Sequence, residues 1–204
     1  MCKLTNYEFD NNHGGFVTVA PPSIVQGSPY IALDAQPLAD GKQFAVDCFT
    51  WLISVFGNAL EARQAGLCIG LWDTLKEQCA VYVDNKFAGF GYSFTEDGVI
   101  FGEWTLGAIF AARSMLNLYS TNATIVSRLQ NDINDMNATI ISMYTSENLS
   151  VSGTGIFYAN KYYVIPFGWM SQRNASMAST TWQIYNLLNF NPFNLDGSLD
   201  FVVP

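Results

Sequence analysis

The apolar positions of this chain fall into five stretches of helical spacing, separated by segments rich in glycine, proline and aromatic residues. Asp40 is a good N-cap, and Phe44, Cys48, Trp51, Leu52, Val55 and Phe56 recur behind it as far as Gly57, which predicts a first helix. A second fits Leu67 to Tyr82, with Leu71, Leu75 and Cys79 four apart on one face. The third runs from Glu103 to Leu118 through Trp104, Leu106, Ile109, Phe110 and Met115. The fourth spans Ala123 to Tyr144, where Ile125, Leu129, Ile133, Met136, Ile140 and Ile141 lie under an outer face of Asn, Asp and Ser. The last covers Ala175 to Leu188 and closes before Asn191-Pro192-Phe193. Met115, Met136 and Met143 belong with the Leu/Ile stripes as core.

The connecting segments carry the turn signals. Residues 1–38 have weak periodicity and hold Gly14-Gly15, Pro21-Pro22, Pro29 and Pro37, an irregular segment with one short strand expected at Phe16 to Val19. Gly89-Phe90-Gly91-Tyr92 opens a predicted β-hairpin or extended loop turning at Asp97-Gly98. Gly153 and Gly155 flank another turn, followed by an aromatic strand from Ile156 to Phe167 that Pro166 and Gly168 end. The order is helix pair, insert, helix pair, insert, helix. That predicts a mainly α protein with short β-hairpin inserts, organised as 1–38 and a helical domain over 39–204, itself one domain or part of a larger one. Strand–helix–strand alternation is absent, so a parallel α/β sheet is not expected.

Composition narrows the function. Half of the 204 residues are apolar and 15% aromatic, enough to bury a full core. Nine Lys and Arg are spread thinly over a chain of net charge −8, so no basic patch exists to bind nucleic acid. The longest charge-free apolar stretch, Cys48 to Leu60, is interrupted by Thr50, Ser54, Gly57 and Asn58 and is too short to span a membrane. Met1-Cys2-Lys3-Leu4-Thr5-Asn6 lacks the apolar core of a secretory signal. Asn-x-Ser/Thr sequons at Asn122, Asn137, Asn148 and Asn174 nevertheless tilt toward a secreted glycoprotein. Cys2, Cys48, Cys68 and Cys79 show no CxxC spacing; Cys68 and Cys79, eleven residues apart on one helix, would stand about 16 Å apart, too far to bridge. One disulfide, Cys48 with Cys68 or Cys79, competes with buried free thiols. His13 is the only histidine and no acidic cluster has ligand spacing, so neither a metal, a cofactor nor a histidine-based triad is expected.

Chemistry concentrates between Ala88 and Ala112. There Glu103 stands beside Trp104 at the mouth of the third helix, a carboxyl group next to an aromatic face, which is what carbohydrate chemistry requires. The bland alternative is a first-turn glutamate favoured by the helix dipole. Asp47 lies among Phe44, Val46, Cys48, Phe49 and Trp51, where a buried carboxylate needs a partner or a purpose; the competing reading is an exposed polar stripe. Asp73 repeats the aromatic–carboxylate adjacency behind Trp72, although Lys76 and Glu77 nearby suit a solvated face. Trp51, Tyr92 and Trp169 complete the set of candidate ligand-binding aromatics, while Glu96 and Asp97 fit a turn tip.

Three segments carry a family resemblance: Ala45-Val46-Asp47-Cys48-Phe49-Thr50-Trp51; Gly89 through Tyr92 with Phe101-Gly102-Glu103-Trp104-Thr105-Leu106-Gly107-Ala108; and Tyr158-Ala159-Asn160-Lys161-Tyr162-Tyr163 through Trp169. With them the chain resembles the six-hairpin glycosidase superfamily, whose domains are (α/α) toroids of alternating inner and outer helices. Five helices match about the second half of such a ring. The resemblance implies cleavage of a glycosidic bond in an oligo- or polysaccharide, with Glu103 as proton donor, Asp47 as its partner carboxylate, and Trp51, Trp104, Trp169, Tyr92 and Asp73 on the substrate. A non-catalytic carbohydrate-binding protein on the same scaffold, and a helical structural or interaction protein completed by a partner or by the missing half, are the alternatives. A polysaccharide lyase would want basic residues around an acidic substrate, against the negative charge of this chain.

Overall fold

Five helices dominate the computed structural model, which describes residues 7–10, 15–18, 46–92, 98–146, 153–164 and 170–193. They are α1 (Val46–Arg63), α2 (Leu67–Cys79), α3 (Gly102–Leu118), α4 (Ala123–Ser142) and α5 (Met177–Leu188). All strands are short and pair antiparallel: β1 (Tyr7–Asp10) with β2 (Gly15–Thr18), β3 (Ala80–Val83) with β4 (Lys86–Phe90), β6 (Gly155–Phe157) between β5 (Tyr144–Thr145) and β9 (Ala175–Ser176), and β7 (Tyr163–Val164) with β8 (Met170–Ser171). The mainly α expectation is met, and no helix of the described residues is long and apolar enough to cross a membrane.

α3 is the centre of the molecule because the middle of its sequence leaves it no polar face. From Trp104 to Ala112 every residue is buried, and a helix that is apolar all round must be enclosed on all sides. α1, α4 and α5 pack around it. α1 and α3 run parallel: Thr50 and Trp51 lie against Gly107, and one helical stretch later Leu118 lies against Gly57. α5 has the same direction, since Ser179 abuts Gly102 at one end while Arg113 donates to the Asn186 carbonyl at 3.3 Å near the other. α2 and α4 return behind them. They are joined by Asp132, a buried carboxylate of α4 that accepts from the Trp72 indole at 2.9 Å and from Lys76 Nζ at 2.5 Å. Lys76 also sits 4.3 Å over the Phe87 ring.

Helix limits differ from the sequence pattern in instructive places. Gly57 does not end α1, which continues to Arg63; a Cβ at Gly57 would stand 2.8 Å from Leu118 Cδ1, so glycine is there for close helix packing rather than as a stop. Asp40 lies outside the described residues. The link to α2 is closed by Glu61, which accepts from the backbone N–H groups of Gly66 and Cys68, both at 2.7 Å, and from the Tyr119 hydroxyl. These bonds outweigh its partial burial and hold the Glu61 pKa below the ordinary value. α2 stops at Cys79 rather than Tyr82, because Ala80 to Val83 turn into β3. The β3–β4 hairpin turns at Asp84 and Asn85, both at positive φ (51° and 62°), the conformation of a tight two-residue turn, while Gly98 of the expected Asp97-Gly98 turn also stands at positive φ (61°). Asp97 lies outside the described residues. The expected aromatic strand from Ile156 to Phe167 is two strands, β6 and β7, separated by a bend at Asn160 and Lys161; residues 165–169 lie outside the described set.

Candidate active site

The entry into α3 is held from both sides. Phe101 donates to the Phe90 carbonyl and Gly102 to the Tyr158 carbonyl, each at 3.0 Å, while Ile100 and Asn160 exchange a pair of bonds at 3.0 and 2.9 Å. Gly102 admits no side chain: a Cβ would meet the Phe157 carbonyl oxygen at 2.8 Å and Ser179 Oγ at 2.9 Å. The glycine-rich run and the segment from Tyr158 to Asn160 thus clamp the residue that follows, Glu103. The first turn of α1 is tied to the same region, since Val46 donates to the Tyr92 carbonyl at 3.1 Å.

Asp47 and Glu103 consequently stand in the first turns of two neighbouring parallel helices, where backbone N–H groups face outward. Asp47 Oδ1 accepts from the Cys48 N–H at 2.9 Å. Glu103 is half-buried, and its pKa is raised above the ordinary 4.5 by that burial first and by the negative charge of Asp47 second. The Trp182 side chain on α5 hydrogen-bonds Glu103 and opposes the rise. Trp182 is itself fixed by ring contacts with Phe110 at 5.3 Å, Phe193 at 5.7 Å and Tyr185 at 6.2 Å.

The aromatic that touches Glu103 is therefore Trp182, from the far end of the chain, and the neighbour in sequence plays another part. Trp104 is only 7% exposed and packs on Phe101 at 4.5 Å, Tyr92 at 4.7 Å and Tyr158 at 6.2 Å, so it is core beneath the site rather than a wall facing ligand. Tyr92 is half-buried in that cluster. Trp51 is 41% exposed, one helical turn beyond Asp47, with Phe193 at 5.9 Å, and offers the accessible aromatic face.

Asp73 is not part of this group. It is exposed on α2 and pairs with Arg128 of α4, the solvated reading of that position. Trp169 and His13 lie outside the described residues, as does the sequon at Asn148. Of the other sequons, Asn122 is exposed and caps α4 by accepting from Ile125 N at 3.2 Å, and Asn174 is exposed beside Gln172. Asn137 is partly buried and accepts from Asn186 at 3.0 Å between α4 and α5. Cys68 and Cys79 are buried thiols on α2, with Cys68 pushed up to about 12 by burial and the nearby Glu61 carboxylate; Cys48 is exposed on α1. No cluster of potential metal ligands is found among the described residues.

No protein-family model matches the chain, and neither a curated protein nor a solved structure does. The chemistry of the site is therefore read from its own geometry. A carboxyl group held toward its protonated form, beside a second carboxylate and an exposed indole, can donate a proton to a leaving oxygen while its neighbour activates water or attacks.

The environment makes two opposed titration predictions. Trp182→Phe removes a donor that favours the carboxylate, so the Glu103 pKa rises further; Asp47→Asn removes a repelling charge, so it falls. Carbon-13 carboxyl shifts of labelled glutamates, six in this chain, measure both. Shifts of the same sign in the two variants would refute this arrangement of charges.

Proposed function

We propose that the protein is a glycoside hydrolase built on part of an (α/α) toroid, with Glu103 as proton donor and Asp47 as the partner carboxylate. The observation that carries the reading is the convergence of these two groups on adjacent first turns, with burial and mutual repulsion raising the proton affinity of Glu103. The arrangement of α1, α3 and α5 side by side and parallel, with α2 and α4 returning behind them, supports the toroid reading: it corresponds to three inner and two outer helices. Protonation of the glycosidic oxygen by Glu103 would let the exocyclic bond break, and Asp47 would serve either as base for water or as nucleophile. The ligand class is a carbohydrate, with Trp51 as the stacking surface.

One observation favours the reading of a helical protein completed by a partner or by further helices of its own. Met177, Ile184, Leu187 and Leu188 form an exposed apolar stripe on α5, at 86%, 48%, 70% and 63% exposure.

Leaving-group dependence tests the role of Glu103. An activated dinitrophenyl glycoside departs with little protonation, whereas a sugar hydroxyl needs the acid. Glu103→Gln is expected to lose far more rate on the parent oligosaccharide than on the aryl glycoside. Equal losses on both would remove Glu103 from the acid's role, and carbohydrate binding without turnover of either substrate would turn the assignment to a non-catalytic binding protein.

A further inference from the structure

The seam between α1 and α3 does not stop at the carboxylates. On α1, Asp47, Trp51, Ser54 and Asn58 follow one another at spacings of four, three and four residues, which places them on one face. On α3, Glu103, Gly107, Ser114 and Asn117 lie on the facing stripe. Trp51 lies against Gly107, where its indole nitrogen is 3.8 Å from the place a Cβ would occupy. Beyond this pair the seam opens into a groove of about 350 Å³, whose polar lining comes from Ser54, Asn58, Ser114, Asn117 and Asn191. Asn58 lies eleven residues beyond Asp47, about 16 Å along the helix axis.

Two features of this groove need a reason. α3 is otherwise enclosed by apolar neighbours, yet its last turns carry Ser114 and Asn117 on the face turned to α1. The lining also contains no ionisable side chain, in a protein of net charge −8. Ser54 and Ser114 donate to the Thr50 and Phe110 carbonyls, at 2.7 and 3.1 Å, which leaves the two hydroxyl oxygens as acceptors. Asn191 Oδ1 accepts from the Phe193 N–H at 3.0 Å, leaving its amide hydrogens as donors. Amides and hydroxyls that donate and accept, beside the apolar Ile53, Val55 and Leu118 and with no counter-charge, match the mixed hydroxyl and C–H surface of a neutral sugar and offer an anion no partner charge.

We propose that this groove binds an uncharged oligosaccharide, as the continuation of a chain whose scissile bond lies between Asp47 and Glu103 and whose next ring stacks on Trp51. The proposal rests on the glycosidase reading of the carboxylate pair and adds to it the substrate class, a neutral polymer longer than a disaccharide. A charged polysaccharide would enter the groove without any partner for its charge.

The test uses the full chain carrying Glu103→Gln, so that ligand is held and not consumed. Side-chain amide signals of Asn58, Asn117 and Asn191 are followed by NMR during titration with cellohexaose, maltohexaose, chitohexaose and, as the anionic control, hexagalacturonate. Saturable shifts of these amides with a neutral hexasaccharide are expected, with at least tenfold weaker binding in Asn58→Trp and unchanged binding of the matching disaccharide. Asn58→Ala, which needs no space, gives the same order with a smaller loss. A hexasaccharide that perturbs Trp51 but none of the three amides overturns the groove and leaves the carboxylate assignment intact. Preference for hexagalacturonate overturns it as well, and so does the absence of any binding to the groove when the wild type turns over the same sugars.

Discussion

Glu103→Gln is expected to lower turnover of a natural oligosaccharide by about 10²- to 10⁴-fold, the usual contribution of a positioned acid, while making the fold more stable at neutral pH. The second half follows from the sign of its titration. The folded-state pKa of Glu103 lies above the ordinary 4.5, raised by burial and then by Asp47. Its contribution to stability is therefore fully present below pH 4.5 and is lost as pH rises through the folded value, where the carboxylate must be held charged beside another carboxylate. Glutamine keeps an oxygen to accept from Trp182 and carries no charge. The melting temperatures of the two proteins should thus coincide in acid and separate above it, with the variant higher by roughly 2–4 °C for each kcal/mol removed. A variant less stable than the wild type at pH 7 would show that Glu103 is held for structure rather than poised for chemistry.

Asp132→Ala is expected to be the most damaging single substitution for the fold, costing about 3–5 kcal/mol. Asp132 is 5% exposed and satisfies both the Trp72 indole and Lys76, whose side chain is 20% exposed. Removing it strands an ammonium and an N–H in the layer between α2 and α4, and Phe87, 4.3 Å from the Lys76 nitrogen, replaces only part of the lost attraction. Asp132→Asn retains an oxygen for Trp72 and loses the charge facing Lys76, so it should fall between wild type and alanine. Lys76→Met combined with Asp132→Leu removes both charges and should recover most of the loss. Urea unfolding of the four proteins measures this order. An alanine variant within about 1 kcal/mol of wild type would mean that the pair contributes no more than an exposed one.

The helices were legible in the chain because their apolar spacing is set by the same core they build: Leu71, Leu75 and Cys79 are buried, as are Leu129, Ile133, Met136 and Ile140. Their ends were not, because an end is decided by tertiary partners. Gly57 reads as a stop until Leu118 is seen against it, and the β3–β4 hairpin turns at Asp84 and Asn85, whose positive φ neither residue type signals as clearly as a glycine would. At the site, the carboxylates stood out as charges within apolar runs. Their aromatic partner did not, since adjacency in sequence pointed from Glu103 to Trp104, whereas successive residues of a helix face different directions and the contact comes from Trp182 on α5. Asp132 was within reach of a helical wheel: it lies among Leu129, Ile133 and Met136 on the buried stripe of α4. Asp73 shows the reverse case, where an aromatic neighbour at Trp72 suggests a site but the next residue of a helix faces away, into solvent and Arg128.

Release of reducing ends from a panel of neutral plant, fungal and bacterial polysaccharides, measured for the wild type beside folded Glu103→Gln, tests the central claim most directly. The account predicts release by the wild type on at least one of them and its loss in the variant. A wild type that releases nothing from any member, or a variant that keeps pace with it, would contradict the assignment of Glu103 and Asp47 as a glycosidic acid and its partner.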